Sequence, residues 1–249
     1  MIKFFRRIRQ NLLMGENPPA GRAGKTSKYF KYAIGEILLV VIGILIALSI
    51  NNWNENRLKQ EQLILVYERT LADIGNDIQE LSTNLDYYNS IEYILKKVIN
   101  DSITPDLFDV GLSRILTRGV NTSLNTTGVN QLKALNVKDS LSLKIIDLYD
   151  NMELRLINNY ERRINVDMGE VVNTFRDNYD WYPEYMGKTI MQDNSSKELQ
   201  DYFLYSSEYR HRVISAYQLF YVNYVRSLKN VLPRLKEITE ELKTVIEKS

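Results

Sequence analysis

From Ala33 to Ile50 the chain reads AIGEILLVVIGILIALSI, eighteen residues in which Glu36 is the one charged group. At 1.5 Å per residue a helix of this length reaches about 27 Å, close to the hydrocarbon thickness of a bilayer. Its apolar residues lie on every face, whereas a soluble core helix keeps a polar side. Beyond Asn51 the pattern changes to recurrence by three and four: Ile64, Tyr67, Leu71, Ile74, Ile78, Leu81, Leu85 and Tyr88, then Ile91, Leu95 and Val98. This predicts a heptad-like helix from near Asn56 to Asn100. No Gly or Pro separates Ile50 from Leu71, so it is expected to continue directly from the apolar segment.

Thr104 before Pro105 signals a helix start, with Thr104 as cap and a short helix over 105–117. Gly119 to Gly128, GVNTSLNTTG, is a polar loop, and 129–135 a further turn of helix. Asp139 or Ser140 caps a long helix marked by Leu141, Ile145, Leu148, Met152, Leu156, Ile164, Met168, Val171 and Phe175. Residues 178–196, with Pro183 and Gly187, are expected to be irregular. A last helical region runs from Ser196 to the end, kinked or divided at Pro233. No strand pattern and no internal repeat is visible. The predicted fold is all-α: an N-terminal transmembrane helix followed by an antiparallel extracytoplasmic bundle of long helices. The divisions are 1–32, a basic leader; 33–50, the span; and 51–249, the bundle.

Charge sets the orientation. Residues 1–32 hold eight basic residues and one acid, Glu16, a net +7, whereas residues 51–249 carry 24 basic and 29 acidic residues, a net −5. Positive flanks stay in the cytoplasm, so the leader is expected inside and the bundle outside the inner membrane, in the periplasm. Tyr29, Tyr32 and Trp53 flank the span as interfacial anchors do. Ile2, Phe5, Ile8 and Leu12 share one face of a leader helix suited to anionic lipid. Gly15 to Gly24 is a connector. Ala47-Leu48-Ser49 also fits a signal-peptidase site, but the long leader favours an uncleaved anchor. An acidic bundle argues against nucleic acid as partner. The chain has no cysteine and a single histidine, His211. That removes disulfides and thiolate sites, and leaves multi-histidine metal centres unsupported.

Tyr32-Ala33-Ile34-Gly35-Glu36-Ile37, Ile42-Gly43-Ile44-Leu45-Ile46-Ala47-Leu48 and Asn51-Asn52-Trp53-Asn54-Glu55 together make a juxtamembrane signature. With the MIKFFRRIRQNLL leader, it resembles a family of uncharacterised Gram-negative envelope proteins catalogued as a domain of unknown function. The resemblance covers residues 1–56. It implies a single-span envelope topology and supplies no activity, cofactor or catalytic residue.

Several candidates for function stand out. Glu36, Val40, Gly43 and Ala47 fall on one helical face, where a carboxylate beside small residues suits docking of another membrane helix; Glu36 also sits where an acid favours a helix N-terminus. Tyr179, Trp181, Tyr182 and Tyr185 form a candidate binding loop, or alternatively a cap on the bundle with its rings tucked in. Tyr202, Tyr205, Tyr209, Tyr217, Tyr221 and Tyr224 make a stripe that reads as core. The acids Asp177, Asp180 and Glu184 lack the spacing of a calcium loop and read as surface, as does His211 between two arginines. Neither a catalytic constellation nor a cofactor motif is visible. The expectation is a non-enzymatic inner-membrane anchor and interaction scaffold, contacting the lipid bilayer and a protein partner or a second copy of itself. The alternative is an extracytoplasmic sensory, ligand-binding input module that signals through a partner membrane protein.

Overall fold

The computed structural model describes the backbone of residues 22–191 and 196–249, and the side chains of 33–187 and 196–249. The leader helix, most of the Gly15–Gly24 connector and the side chains of Tyr29 and Tyr32 lie outside the described residues. The chain divides into two compact units, Met1–Gln60 and Glu61–Ser249.

Helix is the only extended secondary structure among the described residues. The first helix, α1, runs from Arg22 to Ile99. In the first unit its apolar stretch Ala33–Ile50 has no buried residue, and Trp53 is exposed. It is long and apolar enough to cross a membrane, or to serve as a signal sequence. In the second unit the same helix supplies a wall of the bundle. Asp101, at φ +56°, ends it with a left-handed turn in which the Ser102 N–H reaches the Lys97 carbonyl at 2.9 Å.

Two 3-10 turns follow, Pro105–Phe108 and Leu112–Arg114. The expected single helix over 105–117 is broken at Gly111, whose φ of +121° interrupts any helix. Next comes α2, Thr127–Leu135, and then α3, Ser140–Asn151, capped by the Asp139 carboxylate on the Ser142 N–H. The chain goes on without a break through a π-helical segment, Met152–Glu161, into α4, Arg162–Asn178. Within the stretch 178–196 expected to be irregular, Tyr182–Met191 is instead helix α5. Pro183 falls in its first turn, where its missing N–H costs nothing, so it starts a helix rather than breaking one.

Ser196 caps α6, Lys197–Tyr205, and Ser206 caps α7, Ser207–Tyr217. A second π-helical segment, Gln218–Val225, leads into α8, Arg226–Glu247. Pro233 lies inside α8 without dividing it. The apolar periodicity of both long arms is that of a helix, and it does not distinguish i→i+5 from i→i+4 bonding, so the π segments have no sequence signal.

In the second unit three arms form the bundle. Tyr67 meets Ser142 and Asp77 meets Tyr149, so α1 and α3 ascend together. Tyr88 meets Tyr221 and Glu92 meets Tyr217, so the return arm α7–α8 descends against them. The expected bundle is present, with one pair of arms parallel. Parallel arms require residues 100–139 to carry the chain back along α1. The loop 119–126 makes most of that descent, and α2 then crosses α1 at Thr70. There the backbones come so close that a Cβ on Gly128 would lie 2.7 Å from Thr70 Cα and 2.8 Å from its nitrogen.

The closeness yields a paired prediction. Gly128→Ala forces α2 off α1 and is expected to cost about 1–3 kcal/mol of unfolding free energy. Gly75→Ala, on the same helix with nothing within 4 Å of its Cβ, is expected to stabilise by about 0.5–1 kcal/mol. Urea denaturation of the two variants beside the parent protein measures both.

Candidate functional site

The descending loop makes the densest polar cluster in the bundle. It has no ladder of its own, so its backbone amides depend on side chains. Five of them are captured: Val120 by Asn165, Thr122 by Glu161, Ser123 by Glu80, Asn125 by Asp77 and Gly128 by Asp73, at 2.8–3.0 Å. Asn165 also donates to the Val120 carbonyl at 2.6 Å. Asn84 donates to the Thr122 hydroxyl at 3.2 Å. Along α1 the contacts run downward, Asn84, Glu80, Asp77, Asp73, as the loop runs upward in number from Thr122 to Gly128. The spacing fits. Those eleven helical steps rise about 16 Å, and the irregular residues Thr122–Thr126 with the first turn of α2 span them.

Heptad position explains the arrangement. Tyr67, Ile74, Leu81, Tyr88 and Leu95 are seven apart and form the buried apolar line of α1. The companion line is Thr70, Asp77 and Asn84, polar in succession, then Ile91 and Val98. Asp73 and Glu80 each precede an apolar-line residue. Thr70, Asp73 and Asp77 are 0%, 3% and 1% exposed, as deep as the leucines. The sequence reading placed Ile64, Leu71, Ile78 and Leu85 in the seam, and they are only half-buried at its flank. The helix turns its polar line inward because that line faces a strap of backbone rather than another apolar helix.

Two carboxylates anchor the cluster to the other arms. Asp77 accepts from the Asn125 N–H, from Asn125 Nδ2 at 2.7 Å and from the Tyr149 hydroxyl at 2.5 Å. Burial nevertheless pushes the Asp77 carboxyl above its ordinary value of 3.8. Burial, and then the neighbouring Asp77, raise the Tyr149 hydroxyl far above the usual phenol range. Glu161, 3% exposed at the end of the first π-helical segment, accepts from the Thr122 hydroxyl at 2.6 Å and from Tyr224 of the second at 2.9 Å. At the lower end Tyr67 donates to Asp139 at 2.7 Å, and burial lifts its hydroxyl to about 12. Burial also opposes the charge on Asp139, but the Ser142 and Tyr67 bonds outweigh it and hold that carboxyl below 3.8.

The residues expected from sequence lie elsewhere. Glu36, Val40, Gly43 and Ala47 are exposed along the apolar stretch, with open space around Gly43. Of the candidate binding loop, Trp181 and Tyr185 are 4% and 2% exposed and Tyr179 and Tyr182 half-buried. The rings of Tyr179, Trp181 and Tyr185 gather around Phe175 with Tyr202 and Phe203, Tyr179 stacking on Trp181 at 4.7 Å, and Tyr182 packs on Tyr185. Tyr185 donates to Thr117 and Tyr179 to Glu208. Trp181 and Tyr185 therefore close the end of the bundle with their rings tucked in. In the tyrosine stripe Tyr202, Tyr209, Tyr221 and Tyr224 are buried, and Tyr205 is 75% exposed. Asp177 pairs with Arg176, and Glu184 accepts the Ser196 N–H at 3.0 Å, so the three acids do not converge. Among the described residues no group of three His, Asp or Glu side chains is placed to hold a metal ion.

The cluster keeps its hydroxyl–carboxylate pairs, Thr122 on Glu161 and Tyr149 on Asp77, buried. It is a clamp: buried carboxylates and amides that fix a strap of chain and, through it, the three arms. Residues 36–176 match a protein-family model described as a family of unknown function (DUF6090), over half of the chain. The matched stretch contains Asp73, Asp77, the strap and Glu161, and ends within α4. No curated protein and no solved structure matches the chain.

Two predictions follow from the clamp. Asp77→Ala strands the Tyr149 hydroxyl and the Asn125 amide, and is expected to cost about 2–4 kcal/mol by urea denaturation; Asp77→Asn, which keeps an acceptor, costs less. The second concerns acid. Asp139, with its lowered value, contributes stability above pH 3.8 that is lost as pH falls through its folded value, so the deficit of Asp139→Asn shrinks in acid. Asp77, with its raised value, favours the fold below pH 3.8 and loses that contribution as pH rises through its folded value. The deficit of Asp77→Asn therefore widens in acid. Denaturation curves at neutral pH and near pH 3 separate the two trends.

Proposed function

The chain belongs to the family of unknown function DUF6090, and from that premise we propose that it is a non-enzymatic, single-span protein of the inner membrane, an anchor and interaction scaffold. The observation that carries this reading is the run Ala33–Ile50, apolar, helical and without one buried residue. Surface of that kind is stable only when a bilayer or another apolar helix covers it. The +7 leader keeps its own end in the cytoplasm and directs residues 51–249 to the periplasm. Trp53, exposed beside Asn52 and Asn54, suits the interface. Glu36, Val40, Gly43 and Ala47 form the face on which a protein partner's span, or a second copy, packs. The bundle presents a surface that the clamp holds in one shape. The input-module reading draws its support from the two π-helical segments, which lie against each other and meet through Glu161 and Tyr224.

Single cysteines introduced at Ser27 and Ser249 test the topology in a chain that has none of its own. With an inner-membrane-impermeant maleimide on intact cells, Ser249→Cys is expected to label and Ser27→Cys only after lysis, both on full-length protein in the membrane fraction. Labelling of Ser27→Cys in intact cells would invert the protein. A shortened, soluble labelled species would mean cleavage near Ser49 and would end the docking-face proposal. If that face packs against a helix, Gly43→Leu abolishes chemical cross-linking of the span to its neighbour while Ile42→Leu preserves it; equal cross-linking in both would move the contact elsewhere.

A further inference from the structure

Where the second π-helical segment faces α1, the bundle surface opens into a cleft of about 300 Å³, within the lower range of small-molecule sites. Its floor is apolar. Tyr217 and Tyr221 stack with ring centroids 4.9 Å apart, and Val222 and Val225 continue the surface. The floor is fixed, since Tyr221 donates to the Tyr88 carbonyl at 2.5 Å and Tyr217 to Glu92 Oε1 at 3.2 Å.

The rim carries separated charges. Glu92 also receives Lys96, on the same oxygen at 2.8 Å, which leaves Oε2 with acceptor capacity to spare. The Lys96 bond, with added attraction from Lys229, keeps Glu92 below the ordinary carboxylate range and thus charged. Arg226 and Lys229 line the cleft from the first turn of α8 and are exposed. Neither forms an ion pair with a described residue. A simple anion would be opposed by Glu92, and a simple amine would face two cations. A ligand with both charges and an apolar body satisfies every group.

We infer that this cleft binds an apolar α-amino acid as its zwitterion, with the carboxylate on Arg226 and Lys229, the ammonium on Glu92 Oε2, and the side chain against Tyr217, Val222 and Val225. Arg226 provides the planar fork that a carboxylate accepts in two parallel bonds. The inference is independent of the anchor reading, because all of its residues belong to the second unit.

The test uses the full chain in detergent micelles, with L-leucine, L-valine and L-methionine as probes. Two truncated analogues accompany them: 4-methylpentanoate, which lacks the ammonium, and isoamylamine, which lacks the carboxylate. With a dissociation constant on the order of 1 mM and about 10 mM ligand, the best amino acid is expected to raise the melting temperature by about 3 °C. Neither analogue should do so. By calorimetric titration Arg226→Gln and Glu92→Gln each weaken binding at least about tenfold, the loss of one charge-assisted bond. Both variants should keep the ligand-free melting temperature, since Arg226 forms no ion pair with a described residue and Glu92–Lys96 is a surface pair. The inference is overturned by absence of binding for all three amino acids, by an analogue that binds as tightly as its parent, or by affinity unchanged in either variant.

Discussion

A buried peptide group that belongs to no helix or sheet must still find a hydrogen-bond partner, and meeting that demand along residues 119–128 shapes everything around them. The strap has to run back beside α1 because α1 and α3 ascend together. Its buried amides, those of Thr122 and Gly128, would be stranded against an apolar helix face, at about 1–3 kcal/mol apiece. Instead α1 turns Asp73, Asp77, Glu80 and Asn84 toward it, and α4 contributes Asn165. Once the strap is seated, α2 is carried across Thr70, and Asp139 arrives where it caps α3 and receives Tyr67. The path of the crossover, the pairing of the arms and the start of α3 are consequences of one set of bonds.

The bundle thereby separates two kinds of interior. Beside the strap the core is polar and specific, each acid matched to a named amide or hydroxyl. At the far end it is aromatic: Phe175 is surrounded edge-on by Trp181, Tyr185, Tyr202 and Phe203, geometry that favours rings over aliphatic filling. The π-helical segments lie between the two regimes. Glu161 and Tyr224 meet at that level and tie the ascending arm to the descending one.

Much of this was readable from the chain and some of it was not, for physical reasons. Ala33–Ile50 and the helical runs announce themselves because hydrophobic periodicity reports which elements form. The cap before α3 is local chemistry and narrows to Asp139 or Ser140, of which the fold uses Asp139. The polar line of α1 did not show, because a search for apolar positions passes over Thr70 and Asp77 and settles on Leu71 and Ile78, each one position on. Thr70, Asp77 and Asn84 at strict seven-residue spacing are the trace that was available, and they acquire meaning only once a strap is known to lie there. The aromatic segment around Trp181 was ambiguous for the opposite reason: the same rings serve an exposed anchor or a buried plug, and only tertiary contact decides. Pro183 misled because proline ends one helix and begins another with the same geometry.

The clamp also makes the strap a ruler. Most surface loops tolerate added or lost residues, but this one is read against a helix of fixed pitch. Each extra residue advances extended chain by about 3.3 Å, whereas the acceptors along α1 recur every three or four residues, about 4.5–6 Å apart. A single insertion between Thr122 and Gly128 would leave every later amide between two acceptors, with Gly128 displaced from the point where the backbones nearly touch. Length in this segment is therefore quantised, and natural variation in it should appear as exchanged side chains at constant length rather than as indels.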